Sequence, residues 1–316
     1  MRIMITGIAG MIGFHTALSL KKDGHQVFGI DNFNDYYEPQ LKNDRAKILS
    51  DNGVLVIESD LLYFDWNACL EGRVDAIIHL AAYANPRHSL EFPQMYIDTN
   101  ITGTQRLISA LEQKADDIPV IYASSSCVMH GQPLPWNEHD RPGHQNNPYG
   151  WSKRVNECQF MHSKLKSSTG LRFFTVYGPY GRPDMALFLF TKWILNDEPV
   201  ILYNNGNMVR DFTYVDDIVE GVKLAVYERV LSNKRVHDIY NIGYGEQVNL
   251  MDFLQEIEKN LGKKAKYDFR PPHPADVPAT WSDTTKIQKS LGYKPTTNVK
   301  TGISNFINWY KEYYGV

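Results

Sequence analysis

The chain opens with Met1-Arg-Ile-Met-Ile-Thr-Gly-Ile-Ala-Gly-Met-Ile-Gly13, a short apolar run that ends in three regularly spaced glycines. A helix-like stretch follows from Phe14 to Lys22, and a second apolar run from Gln26 to Ile30 ends at Asp31. Glycines at this spacing let the backbone approach a pyrophosphate and let a helix pack on a strand, while the helix N-terminus stabilises phosphate charge. The pattern therefore predicts a βαβ unit that binds a dinucleotide.

The acid at the end of the second run indicates which dinucleotide is bound. Asp31 lies eighteen residues after Gly13, close to the position of the adenosine ribose in such units. A carboxylate there accepts a hydrogen bond from a free 2′-hydroxyl and repels a 2′-phosphate. We therefore expect NAD and not NADP as the cofactor.

Strand-like and helix-like segments continue to alternate along the chain. Val54 to Ile57, Ala76 to Leu80 and Val120 to Ala123 are apolar runs typical of buried strands, and Asn100 to Lys114 has helical periodicity. This alternation predicts an α/β fold with a doubly wound parallel sheet, whose ligands bind at the carboxyl ends of the strands.

Composition and charge exclude several other classes of protein. A chain of 316 residues with net charge −3 and no basic block is not expected to bind nucleic acid or an anionic membrane. Its three cysteines, Cys69, Cys127 and Cys158, are odd in number and lack metal-ligand spacing, so we expect a reducing compartment and no metal site. His15 and the glycines do not fit a signal peptide, and no run reaches transmembrane length. We therefore expect a cytoplasmic protein.

The segment Asn-Pro-Tyr149-Gly-Trp-Ser-Lys153 carries the clearest catalytic signal. On a helix, a spacing of four residues puts Tyr149 and Lys153 on one face. An ordinary tyrosine has a pKa near ~10, and a cation beside it favours the phenolate, so the pair is expected to act as a base. The hydroxyls of Ser124-Ser-Ser126 follow a predicted strand just upstream and can hydrogen-bond the same substrate oxygen.

Together these motifs resemble the extended short-chain dehydrogenase/reductases, and within them the nucleotide-sugar epimerases and dehydratases. The resemblance covers nearly the whole chain and includes Thr6–Gly13, His79–Ala82, Ser124–Ser126, Tyr149 with Lys153, Phe173–Pro179 and Arg210–Asp217. Three further stretches resemble the UDP-glucuronate 4-epimerases: Asp31–Tyr37, Gly181–Ala186 and Asp276–Thr280.

The resemblance implies NAD-dependent epimerisation at C4 of a UDP-sugar through a 4-keto intermediate. It implies that Tyr149 takes the proton from O4, that Ser125 hydrogen-bonds O4 beside Ser126, and that Lys153 lowers the pKa of the tyrosine and holds the nicotinamide ribose. The cofactor contacts that it implies are Gly7, Gly10, Ile12, Gly13, Asp31, Asn32, Asp60, Leu61, Leu80, Ala81, Ala82, Tyr149 and Lys153.

The resemblance also implies where the substrate binds. Arg182, with Thr175 and Ser126, matches positions that hold a sugar 6-carboxylate, and a buried arginine without that anion would be costly. Arg210 matches a diphosphate-binding arginine. The other implied contacts are Tyr203 near the uracil, Asp276 near the ribose and diphosphate, and Cys127 beside the serines.

The chain departs from the family pattern at a few positions. His273 stands where a second phosphate-side arginine is usual, and Arg270 is the alternative cation. Dehydratases place an acid pair at the positions of Ser126 and Cys127, and decarboxylases place a glutamate at that of Cys127, so neither reaction is expected. GDP-mannose 3,5-epimerases pair a catalytic cysteine with a lysine; the loop 181–184 offers no lysine, so Cys127 is interpreted as a packing or polar contact.

Several alternatives stay open at the level of sequence. The nearest is a UDP-hexose or UDP-N-acetylhexosamine 4-epimerase. A UDP-glucuronate decarboxylase, a GDP-sugar epimerase and a non-catalytic NAD-binding module are further ones.

We expect an NAD-binding lobe of residues 1–177 and about 211–243, and a smaller α/β substrate-binding lobe of about 178–210 and 244–316. Thr297 to Tyr314 is predicted to be a terminal helix with Ile303, Phe306, Ile307 and Tyr310 in the core. The resemblance implies a homodimer formed through helices of the first lobe, including the Tyr149–Lys153 helix.

Overall fold

The computed structural model describes residues 1–232 and 234–316. Its strands are β1 Arg2–Thr6, β2 Gln26–Asp31, β3 Leu55–Glu58, β4 Ala76–His79, β5 Val120–Ser125, β6 Ser167–Phe173, β7 Thr175–Tyr177, β8 Pro199–Tyr203, β9 Val209–Arg210, β10 Phe212–Tyr214, β11 Val236–Ile242, β12 Val248–Asn249 and β13 Lys266–Arg270.

The α-helices of the described residues are α1 Met11–Lys22, α2 Pro39–Asp51, α3 Trp66–Glu71, α4 Pro86–Glu91, α5 Pro93–Tyr96, α6 Thr104–Lys114, α7 Pro148–Met161, α8 Ala186–Leu195, α9 Val215–Leu231, α10 Leu250–Leu261, α11 Thr285–Leu291 and α12 Val299–Tyr314. Ile97–Gly103 forms a π-helical turn, and Ser126–Met129 and Asn204–Gly206 form 3₁₀ turns. Within the described ranges, no helix has both the length and the apolar character needed to cross a membrane.

The predicted doubly wound parallel sheet is confirmed. Seven strands pair in the order β11-β6-β5-β4-β1-β2-β3, and every neighbouring pair in it is parallel. The chain runs outward from β1 through β2 to β3, then returns to the other side of β1 for β4. Ligands of such sheets bind at the crevice where the strand order reverses, here between β1 and β4.

The predicted segments agree with the structure except at their ends. The first helix begins at Met11 and not at Phe14, so the glycine turn runs directly into it. The segment predicted as a helix from Asn100 is a π-helical turn as far as Gly103 and an α-helix only from Thr104. Apolar periodicity does not distinguish these two hydrogen-bond patterns, which differ in register along the same stretch of chain.

Apolar side chains cover both faces of the sheet and fill a second core beyond it. One cluster joins β1 to α1 and α9, and another packs β4 and β5 against α6 and α7. The second core lies among α8, α10 and α12, where all four predicted core residues of α12 are buried, which confirms that prediction: Ile303, Phe306, Ile307 and Tyr310.

A buried ion pair joins α7 to the sheet. Glu157 accepts hydrogen bonds at 2.8 Å and 3.1 Å from Nε and Nη2 of Arg172, whose side chain on β6 is only 2% exposed. The hydroxyl of Ser124, at the end of β5, donates to the same carboxylate at 2.7 Å. Glu157 therefore fixes the strand end that carries Ser125 relative to the helix that carries Tyr149.

We expect Glu157→Gln to lower the free energy of unfolding by about 3–5 kcal/mol, because Arg172 would keep its charge in the interior without a counter-charge. Urea unfolding measures the change. Arg154→Gln is the matched control: Arg154 also pairs with Glu157, but its side chain is 32% exposed. Its loss should cost about 0–1 kcal/mol. Equal losses in the two variants would contradict this account.

Candidate active site

One cavity of about 560 Å³ opens along the carboxyl ends of the central strands. The structure brings every residue that the sequence assigned to the cofactor, to catalysis or to the substrate to the lining of this cavity: Gly7, Gly10, Ile12, Gly13, Asp31, Asn32, Asp60, Leu61, Leu80, Ala81, Ala82, Ser125, Ser126, Cys127, Tyr149, Lys153, Thr175, Arg182, Tyr203, Arg210 and Asp276. These residues are spread along the chain from Gly7 to Asp276, so the fold assembles the site from segments that are distant in sequence.

The glycine turn has no room for side chains. Gly7 has φ +71°, and a Cβ there would lie 2.8 Å from the amide nitrogen of Ala81. A Cβ on Gly13 would lie 2.3 Å from the carbonyl oxygen of Gly7. Gly10 precedes the first residue of α1, whose N-terminus thus faces the cavity. This bare backbone at a helix N-terminus fits the pyrophosphate of a dinucleotide.

Asp31, the last residue of β2, lines the cavity next to the glycine turn. Its carboxylate accepts hydrogen bonds from the backbone N–H of Ala9 at 3.1 Å and of Phe33 at 3.0 Å. Burial raises the pKa of Asp31, and these hydrogen bonds offset part of the increase. Next to it, Asn32 donates to the carboxylate of Asp60 at 2.7 Å. The carboxylate of Asp31 lines the cavity beside the glycine turn, and this position fits a hydrogen bond from the free ribose hydroxyl of NAD.

A chain of hydrogen bonds that sequence reasoning missed forms the floor of the crevice. His79 is hydrogen-bonded to Thr6 at 2.8 Å through Nδ1 and to Thr104 at 2.9 Å through Nε2. Burial, and then the charge of Lys153, lower the pKa of His79 to about 3, so the ring is neutral at pH 7. Thr6 also accepts from the N–H of Ala81 at 3.2 Å, which fixes the loop after β4 against the glycine turn.

Tyr149 and Lys153 lie on α7, as predicted, and both reach the cavity. Lys153 is buried, and its Nζ donates to the carbonyl oxygen of Ala123 at 3.0 Å. Burial lowers the pKa of Lys153 from its usual 10.5 to about 7. The ammonium is therefore turned toward the end of β5.

In the chain by itself, burial is the main influence on the pKa of Tyr149. Burial raises it above the usual 10, and Cys127 raises it further, while hydrogen bonding with Ser125 and the charge of Arg182 lower it by less. Lys153 is not among the groups that shift this pKa in the chain by itself, where removal of the phenol from water dominates, so the expected effect of Lys153 on the tyrosine stays a prediction.

Ser124 and Ser125 end β5, Ser126 begins the following 3₁₀ turn, and all three are buried. Ser125 accepts a hydrogen bond from the backbone N–H of Cys127 at 3.2 Å and thereby begins the 3₁₀ turn. Burial raises the pKa of the Cys127 thiol, so it remains a neutral, weakly polar group in the cavity wall. Met129 in the same turn is buried, and its sulfur accepts from Arg172 at 3.1 Å. This contact gives Met129 a structural role that the sequence did not explain.

Arg182 enters the cavity already paired. Its Nε and Nη2 donate to the two carboxylate oxygens of Asp184 at 3.0 Å and 2.6 Å, and its Nη1 donates to the carbonyl oxygen of Ala84 at 2.7 Å. Asp184, two residues later, therefore supplies a counter-charge to Arg182 in the chain by itself, which sequence reasoning did not consider. The sequence contained this signal in Gly181-Arg-Pro-Asp184.

A second arginine that sequence reasoning missed spans the opening of the cavity. Arg87, on α4, donates to both oxygens of Asp276 at 3.1 Å and 2.7 Å, and its guanidinium lies 4.0 Å from the centre of the Tyr203 ring. His273 packs edge-on against that ring with centroids 5.7 Å apart. Arg270 pairs with Asp268 at 2.7 Å on an exposed strand and does not line the cavity.

Comparison with known proteins shows the family of this chain. The profile of the NAD dependent epimerase/dehydratase family matches residues 3–243. The chain belongs to this family. NAD dependence agrees with the predicted cofactor, and the family agrees with the resemblance found in the sequence.

Three relatives are similar over almost the whole chain. Protein CapI of Staphylococcus aureus is 39% identical, with 99% of each chain covered. UDP-glucuronate 4-epimerase 1 of Arabidopsis thaliana is 39% identical over 99% of this chain and 77% of its own. The crystal structure of UDP-glucuronic acid 4-epimerase from Bacillus cereus, in complex with UDP-glucuronic acid and NAD, superposes with a TM-score of 0.91 at 32% identity and covers 99% of this chain and 100% of that one.

The lowered pKa of Lys153 predicts a pH-dependent difference in stability. Between pH 7 and 10.5 the unfolded chain binds more protons at this residue than the folded chain, so folded wild-type protein gains stability as pH rises. Lys153→Met lacks this dependence. The free energy of unfolding of wild type should therefore rise relative to that of Lys153→Met by about 1.4 kcal/mol per pH unit.

Urea unfolding of NAD-stripped protein at pH 7, 8 and 9 measures this difference. The assignment is contradicted if wild type does not gain stability relative to Lys153→Met as pH rises.

Proposed function

We infer that the protein is an NAD-dependent 4-epimerase that interconverts UDP-glucuronate and UDP-galacturonate. The observation that carries this function is that Arg182, Ser126 and Thr175 line the same cavity as Tyr149 and Ser125. A cation with two hydroxyls fits a sugar carboxylate, and a tyrosine with a serine fits the neighbouring hydroxyl. The relatives named UDP-glucuronate 4-epimerase support this choice of substrate.

Ser125 and Tyr149 would bind O4 of the sugar and move its proton. Ser125 hydrogen-bonds O4 of the sugar and orients it toward Tyr149, which as phenolate accepts the O4 proton when C4 becomes a ketone. NAD, when bound at the glycine turn, accepts the C4 hydride and returns it. After the 4-keto sugar has turned, Tyr149 gives the proton back to O4. The net reaction inverts C4 and leaves the cofactor unchanged.

The raised pKa of Tyr149 makes the chemistry depend on ligand binding. A phenol with a pKa above 10 is a poor base at neutral pH, so Tyr149 would need the ammonium of Lys153 and the positive charge that bound NAD would supply. Lys153 is buried at the end of β5, where it would meet the nicotinamide ribose. Proton abstraction would therefore begin only in the assembled complex, and the 4-keto sugar would form only there.

The diphosphate and the base would be held at the far end of the cavity. Arg210 lines this end, and burial lowers its pKa while the charge of Asp276 raises it. Tyr203 presents its ring nearby and fits the uracil by stacking. His273 lies against Tyr203 at this end, so the chain keeps a basic group close to the position of the missing arginine.

The runner-up is a 4-epimerase of a neutral UDP-hexose or UDP-N-acetylhexosamine. The pairing of Arg182 with Asp184 favours this candidate, because a neutral sugar would not leave the guanidinium without a counter-charge. Dehydration and decarboxylation receive no such support, since Ser126 and Cys127 supply no carboxylate where those reactions need one.

The wider organisation is part of the same proposal. We propose the two lobes described above and a homodimer formed through helices of the first lobe that include α7. We also propose a cytoplasmic location and a role in supplying uronate for polysaccharides. At the protein surface, Gln159 of α7 donates to Gln105 of α6 at 3.0 Å. Cys69, Cys127 and Cys158 are unpaired, as a reducing compartment allows.

Incubation of purified protein with UDP-glucuronate and no added cofactor tests the function. We expect UDP-galacturonate as the only new product, because resident NAD is regenerated in each cycle. Chromatography and NMR identify the product, with UDP-glucose and UDP-N-acetylglucosamine in parallel reactions. The Tyr149→Phe variant is the control and should form no product with NAD still bound. A UDP-pentose, or turnover of neutral sugars alone, would refute the assignment.

Arg182→Ala should reduce kcat/KM for UDP-glucuronate about 10- to 150-fold more than for UDP-glucose, because hydrogen bonds to a charged group are worth roughly 1.5–3 kcal/mol. Steady-state kinetics with both substrates measure the ratio. Arg270→Ala removes an arginine outside the cavity and should leave the ratio unchanged. If the two substrates lose activity equally in Arg182→Ala, the arginine does not bind the carboxylate.

A further inference from the structure

Asp184 is the centre of a hydrogen-bond network that the reaction described above does not use. Its carboxylate accepts from Nε and Nη2 of Arg182, from the hydroxyl of Tyr36 at 2.8 Å and from Nδ2 of Asn85 at 2.9 Å. Burial raises the pKa of Asp184, but the charge and hydrogen bonds of these partners outweigh it and bring the pKa to about 2. The carboxylate is therefore fully ionised at neutral pH.

The partners of Asp184 come from three separate parts of the chain. Tyr36 follows β2 on the adenosine side of the cavity, Asn85 precedes α4, and Arg182 follows β7. Each of the three partners makes a further contact. Asn85 accepts from the N–H of Arg87 and His88, and Tyr36 packs on His88 with ring centroids 4.7 Å apart. Arg182 donates to the carbonyl oxygen of Ala84. This network fixes the guanidinium in one orientation.

The orientation leaves part of the guanidinium free for a ligand. An arginine has five N–H donors. Three of those of Arg182 are engaged, one on Nε, one on Nη2 and one on Nη1. One donor remains on each terminal nitrogen, and these two N–H groups are available to a second carboxylate. A substrate carboxylate at this edge would share Arg182 with Asp184.

We propose that Asp184, held by Tyr36 and Asn85, is a positioning residue that sets how strongly Arg182 binds the substrate carboxylate. This inference rests on the proposed function and concerns the same site. Asp184 has two effects: it points the free edge of Arg182 into the cavity, and it cancels most of the charge that the substrate would otherwise meet.

Weaker binding of the carboxylate has a use in this reaction. The 4-keto sugar must turn within the site to present its opposite face, so the carboxylate must be able to leave Arg182 between the two half-reactions. An unpaired guanidinium in a water-poor cavity would bind the uronate more tightly before the turn than during it, and such ground-state binding slows turnover. Asp184 would therefore lower the affinity for UDP-glucuronate and raise the rate of turnover.

Asp184→Asn tests this role, because the amide keeps the shape of the carboxylate and removes its charge. Affinity is measured by calorimetry on NAD-bound protein in a Tyr149→Phe background, where the substrate cannot be converted. We expect Kd for UDP-glucuronate to fall about tenfold, roughly the effect of 1.4 kcal/mol, and Kd for UDP-glucose to change less than about threefold. With Tyr149 present, kcat for UDP-glucuronate should fall.

A double-mutant cycle shows whether Asp184 acts through Arg182. In an Arg182→Ala background only the direct repulsion between Asp184 and the substrate carboxylate is left, so Asp184→Asn should lower the Kd for UDP-glucuronate by less than it does with Arg182 present. The proposal is overturned if the decrease is as large without Arg182, or if Asp184→Asn weakens binding of both sugars equally, as a purely structural role would. The binding measurements need no turnover, so failure of the epimerase assay and failure of this proposal are distinguishable.

Tyr36→Phe provides a second test should Asp184→Asn not fold. Removal of the hydroxyl takes one donor from Asp184, which would then hold Arg182 more strongly. Kd for UDP-glucuronate should rise about threefold while Kd for UDP-glucose stays unchanged. A lower Kd for UDP-glucuronate, or equal changes for both sugars, would overturn the proposal.

Discussion

The reversal of strand order between β1 and β4 is the constraint on which the rest of the structure depends. Two chain segments leave this point in opposite directions, so their carboxyl ends border a crevice that neither can fill. The hydrogen bond between Thr6 and His79 joins the two strand ends, and Gly7 is free of a side chain where its backbone passes Ala81. Gly7, Tyr149 and Arg182 all line this one opening.

Two arginines that line the cavity are paired with acids of the protein: Arg182 with Asp184, and Arg87 with Asp276. Lys153 donates to a carbonyl oxygen instead, and burial lowers its pKa to about 7. A buried charge without a partner costs several kcal/mol, so the fold is stable only if such partners exist. Ligands must therefore share these groups or displace their partners, and affinity reflects the difference between two sets of contacts. This explains how a strongly polar site exists inside a stable fold.

The sequence predicted those features that depend on local spacing. The glycine turn, Asp31 and the Tyr149–Lys153 pair each lie within one strand-helix unit, so periodicity and motif placed them correctly. The partners of Arg182 could not be predicted in the same way, because Asn85 is 99 residues away from Asp184 and meets it only after folding. The rise in the pKa of Tyr149 also depends on burial, which no local pattern reports.

Transfer of the C4 hydrogen is the central claim, and an isotope label tests it most directly. UDP-glucuronate deuterated at C4 is incubated with the enzyme in ordinary water, and the product is analysed by NMR. Direct transfer through a cofactor that stays in the cavity predicts UDP-galacturonate that retains deuterium at C4. Replacement of the label by solvent hydrogen would mean that the stereocentre is inverted by deprotonation of carbon, and would contradict the roles assigned to NAD and Tyr149.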